Sequence, residues 1–124
     1  MTPREARYAL AEELRAALGD GWTVHPSPPE AVQARSLVIA PRSPYRVRGT
    51  VCQEEVKLEL TVLVQRGASQ AGLDLLDDVC TTIRAAIDTG AVVAYVDSIM
   101  DIGLVQEVGG VEYLAARLQV TAHV

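Results

Sequence analysis

Phenylalanine is absent from this 124-residue chain, and tryptophan occurs once, at Trp22. With four tyrosines the aromatics reach only 4% of the residues, too few to suggest a stacking platform for bases or sugars. Cysteine is nearly absent as well. Cys52 and Cys80 are too few for a disulfide framework or a zinc cluster, and they suit a reducing cytoplasm. No apolar run approaches the roughly 18 residues a membrane span needs, and the N-terminus has no apolar h-region. Neither a membrane span nor a secretory signal is therefore expected. Basic residues are the minority, 11 against 16 acids, for a formal charge of −5. That balance argues against a surface that binds nucleic acid as a whole.

What is present is aliphatic. Apolar residues make up 49% of the chain, so disorder is excluded and a proper core can form. The chain shows no repeat, low-complexity tract or linker, and is read as a single domain over residues 1–124.

The pattern is clearest from Glu54 to Asp88. Val56, Leu58, Leu60, Val62 and Val64 alternate with Glu55, Lys57, Glu59 and Thr61. A period of two is what a strand needs when one face is covered and the other is wet. After Arg66-Gly67-Ala68-Ser69 the period changes. Leu73, Leu76, Cys80, Ile83 and Ile87 fall three or four apart and form one stripe of a helix. The helix stripe is expected to cover the strand's apolar face.

Thr2-Pro3-Arg4-Glu5 opens a first helix with a cap, a proline at the first helical position and a capping-box acid. Ala6, Leu10, Leu14 and Leu18 give it a narrow apolar face, and Gly19 and Gly21 end it. Trp22-Thr23-Val24-His25 reads as a short strand stopped by Pro26-Ser27-Pro28-Pro29. Ser36-Leu37-Val38-Ile39-Ala40 reads as a central strand interrupted by Pro41-Arg42-Ser43-Pro44. Tyr45 to Cys52 is either a projecting loop or the near half of a hairpin with the long strand. Ala94 to Gln106 reads as a strand with Ala94, Val96, Met100, Ile102 and Leu104 on one face. Glu107-Val108-Gly109-Gly110 is a hairpin turn, and the last strand places Leu114, Ala116, Leu118, Val120 and Ala122 on one face. Glu112, Tyr113, Arg117, Gln119, Thr121 and His123 mostly point the other way. The result is an α+β fold: a mixed or antiparallel sheet of about four to five strands, with two helices on one face.

Reactive chemistry finds little support in the residues. His25 and His123 are the only histidines, and neither stands beside a nucleophile in sequence. Cys80 lies on the apolar stripe, where a thiol behaves as a small hydrophobe. Cys52 has no histidine near it in sequence to activate it. Asp74 is read as a first-turn carboxylate facing the helix dipole. Asp77 and Asp78 point about 100° apart on the helix and do not readily share a metal. Asp97 and Asp101, four apart on a strand, would lie about 13 Å apart on one face, too far for paired acid–base work. The glycines form no phosphate loop.

One window stands out by charge. Between Glu30 and Glu54 there is no acid, while Arg35, Arg42, Arg46 and Arg48 all occur. Proline and glycine bracket it, which suits a loop held away from the body. Arg42, Tyr45, Arg46 and Arg48 are the candidate contact residues, for an identical copy or for another protein with an acidic surface.

Taken in order, the chain resembles the tail terminator proteins of long-tailed bacteriophages, the family that includes the lambda tail terminator. The resemblance covers essentially the full length. It rests on the helix from Pro3 to Leu18, on Trp22-Thr23-Val24, on Ser36 to Pro41 and on the charged-alternating strand Glu55 to Val64. It rests also on the helix opening Gly72-Leu73-Asp74-Leu75-Leu76-Asp77-Asp78 and on the hairpin ending Leu118-Gln119-Val120-Thr121. None of these is a catalytic signature. The resemblance implies a non-enzymatic ring without cofactors, typically a hexamer, seated on the last ring of tail-tube subunits. Its partners would be copies of itself, the tail tube protein and the head completion or connector protein, with DNA passing through the lumen unbound. Its place would be the virion tail or neck, and the host cytoplasm during assembly. The rival readings are a neighbouring connector, neck or tail-completion protein, a small α+β enzyme or ligand-binding domain, and a nucleic-acid binder using the arginine window.

Overall fold

The computed structural model of the chain describes residues 1–49, 53–66 and 69–124. Cys52 therefore lies outside the described residues. The elements run α1 (Pro3–Leu18), β1 (Thr23–His25), β2 (Ser36–Arg48), β3 (Glu54–Gln65), α2 (Ser69–Thr89), β4 (Ala94–Val108) and β5 (Val111–His123). The five strands form one mixed sheet in the order β1-β2-β3-β5-β4. β1 is parallel to β2, and every other pairing is antiparallel. The fold is α+β, with both helices against one face of the sheet, as the periodicity predicts.

α1 begins where the capping residues place it. The Thr2 hydroxyl accepts from the Glu5 amide at 3.1 Å and donates to the Glu5 carboxylate at 3.1 Å. Gly19 closes the helix at φ 83, a conformation that costs glycine little. α2 packs over β3, β5 and β4, and α1 lies beside α2 and over β1. Leu76, Cys80, Ile83 and Ile87 are buried against Val56, Leu58, Leu60 and Val62, with Val79 joining the stripe and Leu73 half-exposed at its start. Each fully buried aliphatic side chain contributes roughly 1.5–3 kcal/mol before the entropic cost of ordering it. Asp74 lies beyond the first turn of α2, because the helix starts earlier, at Ser69. Its carboxylate accepts from Gln70 rather than meeting the helix end.

Glu13 ties the two helices to the sheet. Its Oε1 accepts from the amides of Ala91 (2.7 Å) and Val92 (3.1 Å), which open the connection to β4. Gly90 leaves room for that approach: a Cβ there would collide with the Glu13 carboxylate. The β4–β5 hairpin turns on Gly109 (φ 60) and Gly110 (φ 82), the two positive φ values a tight two-residue turn requires.

Three expectations are corrected. First, Pro41-Arg42-Ser43-Pro44 does not end the strand, and of the two readings for Tyr45 onward the hairpin with the long strand holds as far as Arg48. β2 runs on to Arg48, and its pairing with β3 lapses after Pro41↔Leu58 and resumes at Arg46↔Val56. Pro41 and Pro44 lack the amide hydrogen a ladder needs, and the break falls between Pro41 and Arg46. Second, Ala94, Val96, Met100, Ile102 and Leu104 do not share a face. β4 shifts register between Val96 and Ser98 and again between Met100 and Leu104. Val96 thus stands opposite Val120, on the core side, while Met100 stands opposite Arg117, on the other. Asp97 and Asp101 sit in these two breaks, so their even spacing on one face does not hold. Third, the face away from the helices is only partly wet. Leu63, Tyr113 and Ala115 are buried there under Val32, and the Tyr113 hydroxyl donates to the Val32 carbonyl at 3.0 Å. Thr121 is buried too.

Candidate functional site

The face away from the helices carries an ordered array of charges. Its centre is Arg42. The side chain leaves β2 and lies across the sheet, with Nε donating to the Leu58 carbonyl at 3.1 Å and Nη2 reaching Asp97 Oδ2 of β4 at 2.5 Å. The same nitrogen lies 3.4 Å from the Val120 carbonyl and 3.4 Å from the Thr121 hydroxyl. Thr121 donates to Asp97 at 2.7 Å and accepts from Lys57 Nζ at 3.1 Å, and Lys57 pairs with Glu55 at 3.0 Å. One guanidinium thus joins β2 to β4 over the two strands between them. Arg42 and Asp97 are only 18% and 28% exposed, which limits screening of the pair. Lys57 holds the Glu55 carboxyl below its usual range.

The four candidate contact residues therefore divide. Arg42 is bound within its own chain, to Asp97 and the Leu58 carbonyl. Arg46 makes a two-pronged bond to Glu54 (2.5 and 3.2 Å), which raises its already high pKa while leaving the side chain more than half exposed. Tyr45 is half-buried against the core, and Arg48 is exposed at the end of β2. No sequence signal marked Asp97 as the partner of Arg42, because 55 residues separate them.

Sequence reasoning also missed the outer edge of the sheet. β4 is the last strand, and beyond it the described residues supply no further strand. Tyr95, Ile99, Met100, Ile102 and Val105 are 38–45% exposed along it. The register breaks change which side each faces: Ile99 and Val105 stand opposite Leu118 and Leu114 on the helix side, and Met100 opposite Arg117 on the other. Asp101 (φ 56) and Gly103 (φ 89) hold the second break in the left-handed region. The acids Asp101 and Glu107 are exposed among these apolar groups.

The groups with reactive potential do not converge. His25 is on β1 and Asp97 on β4, at opposite ends of the strand order. Burial, and then the nearby Arg15 charge, lower the His25 pKa. His123 packs its ring 5.8 Å from Tyr95. Burial, and then the Asp77 carboxylate, push the Cys80 thiol up to about 11, which suppresses the thiolate. Among the described residues, no group of three or more His, Cys, Asp or Glu is placed to hold a metal ion. No helix among them is long and apolar enough to cross a membrane. A cleft of about 200 Å³ opens on the charged face beside Pro28, Pro29, Val32, Val38 and Val108, and neither His25 nor Asp97 lines it.

Comparison with protein-family models and with curated protein sequences finds no match to this chain.

Proposed function

We propose that this protein is a structural subunit of a long-tailed phage. Copies join into a ring that caps the tail tube, ends its elongation and presents a surface to the head connector. The observation that carries the reading is the exposed apolar edge along β4. Isolated surface aliphatics are ordinary, but five along one unpaired strand edge favour burial against another chain. The charged face supports the same reading. Its ion pairs are satisfied within the subunit, so it offers a stiff, patterned surface to a neighbour. The resemblance of the whole chain to tail terminators supplies the biological setting. A net charge of −5 suits a channel through which DNA passes without sticking.

The test is assembly. Purified protein is added to polymerising tail tubes, and tube length and end structure are read by electron microscopy. Shortened tubes, each ending in an extra ring, are the expected result. Tubes of unchanged length with bare ends would refute the proposal. A ring located one level higher, on the head side, would instead make this a connector or neck protein.

A further inference from the structure

The two edges of the sheet differ in charge, and that difference bears on how copies join. β4 carries Asp97, Asp101 and Glu107 and no Lys or Arg; β2 carries Arg42, Arg46 and Arg48 and no acid. The strand order sets β4 at one edge. At the other edge β1 pairs only with Ser36, Leu37 and Val38, so the rest of β2 lies beyond its cover. Arg42 and Asp97 satisfy one another within the subunit. Asp101 and Glu107 remain exposed on the apolar β4 edge; on β2, beside the exposed rings of Pro41 and Pro44, Arg46 is bound to Glu54 but stays more than half exposed, and Arg48 is exposed at the strand's end.

We propose that the acidic, apolar β4 edge of one copy docks on the basic, proline-bearing end of β2 in the next copy. This rests on the ring reading above and names the surfaces that would make the ring. A two-fold pairing of β4 with β4 sets Asp101 and Glu107 against acids of the same strand, and a pairing of β2 with β2 sets arginine against arginine. Only a head-to-tail contact brings unlike charges together, and a head-to-tail contact that closes is a ring. The contact is made by side chains rather than by continuing the backbone ladder. Pro41 and Pro44 have no amide hydrogen to give, and β4 breaks its own register twice. Arg48 lies toward the end of the sheet where β4 begins, and Glu107 lies toward the other end. The two copies therefore meet offset along the strands, which in a closed ring is a tilt of the strands against the ring axis.

The experiment is a charge exchange, read by sedimentation velocity and native mass spectrometry over a concentration series, with circular dichroism to verify folding. Arg48→Glu places an acid on the basic edge, and Glu107→Lys places a base on the acidic edge. Each variant alone is expected to self-associate about tenfold more weakly than the parent chain, since like charges then face each other across the contact. An equimolar mixture is expected to recover association, because every contact in it again joins unlike charges. If Arg48→Glu assembles as the parent does, while Glu107→Lys alone is affected, the contact is β4 to β4 and the proposal is overturned. A mixture no stronger than its components also overturns it. So does a parent chain that stays monomeric at every concentration. Tube capping by a protein insensitive to both changes would retain the ring reading and discard these edges.

Discussion

The two faces of the sheet solve the same problem by different means. Toward the helices, β3 and β5 present Val56, Leu58, Leu60, Leu118 and Val120, all fully buried beneath aliphatic helix residues. On the other side, the same strands present Glu55, Lys57, Glu59, Arg117 and Thr121, held by hydrogen bonds and ion pairs. The first face derives its stability from area removed from water, which tolerates no charge. The second derives order from directional contacts that are individually modest but fix strand positions across the whole sheet. Hydrophobic burial makes this sheet fold; polar bonding makes its outer surface specific.

Substitutions can break that contrast. Ile83→Asp puts an unpaired carboxylate under the sheet and is expected to cost more than about 4 kcal/mol, enough to unfold the chain. Arg84→Asp, one residue on but exposed, is expected to stay within about 0.5 kcal/mol of the parent. Urea denaturation followed by circular dichroism separates them, and equal losses would refute the two-face account. Arg42→Ala removes the ion-pair partner of Asp97 on the polar face, with an expected loss of about 1–3 kcal/mol. The double variant Arg42→Ala/Asp97→Ala should be less destabilised than the sum of the single changes by about 1 kcal/mol. Strict additivity would show that the cross-sheet tie does not couple the strands.

Glu13→Ala removes the acceptor for two amides at the entry to β4 and is expected to cost about 1–2 kcal/mol. Faster hydrogen exchange at Ala91 and Val92 would report the loss locally. Cys80 gives a titration test of the buried face. In the fold burial keeps its thiol protonated to about 11, while an exposed thiol releases its proton near 9.0. The native state then holds a proton that the unfolded chain releases, so stability falls as pH rises from 9.0 toward 11. Cys80→Ala should remove that slope, and an unchanged slope would place its origin elsewhere. Smallest is Arg66→Ala, which breaks the exposed pair with Glu112 and is expected to change stability by under about 0.5 kcal/mol.

Much of this contrast was legible in the chain. The alternation from Glu55 to Val64 identified β3 and both its faces, because neighbouring residues on a strand necessarily point opposite ways. The spacing from Leu76 to Ile87 identified the buried side of α2 for the equivalent helical reason. Gly109-Gly110 located the hairpin turn. The outer edge was not legible. The sides its residues face follow from register breaks at Asp97 and between Met100 and Leu104, and β4 carries no proline to announce them. The destination of Arg42 was hidden as well. Between two prolines it resembled a loop residue, and only the strand order brings it to Asp97.

By itself, the sequence determined where the two helices, β3 and β5 form and which side of each is apolar, since those depend on residues a few positions apart. The tertiary structure alone decided which strands form the edges, where the ladder slips, and which arginine is bound inside the subunit rather than left for a neighbour. These outcomes depend on pairings between residues tens of positions apart, and local periodicity carries no record of them.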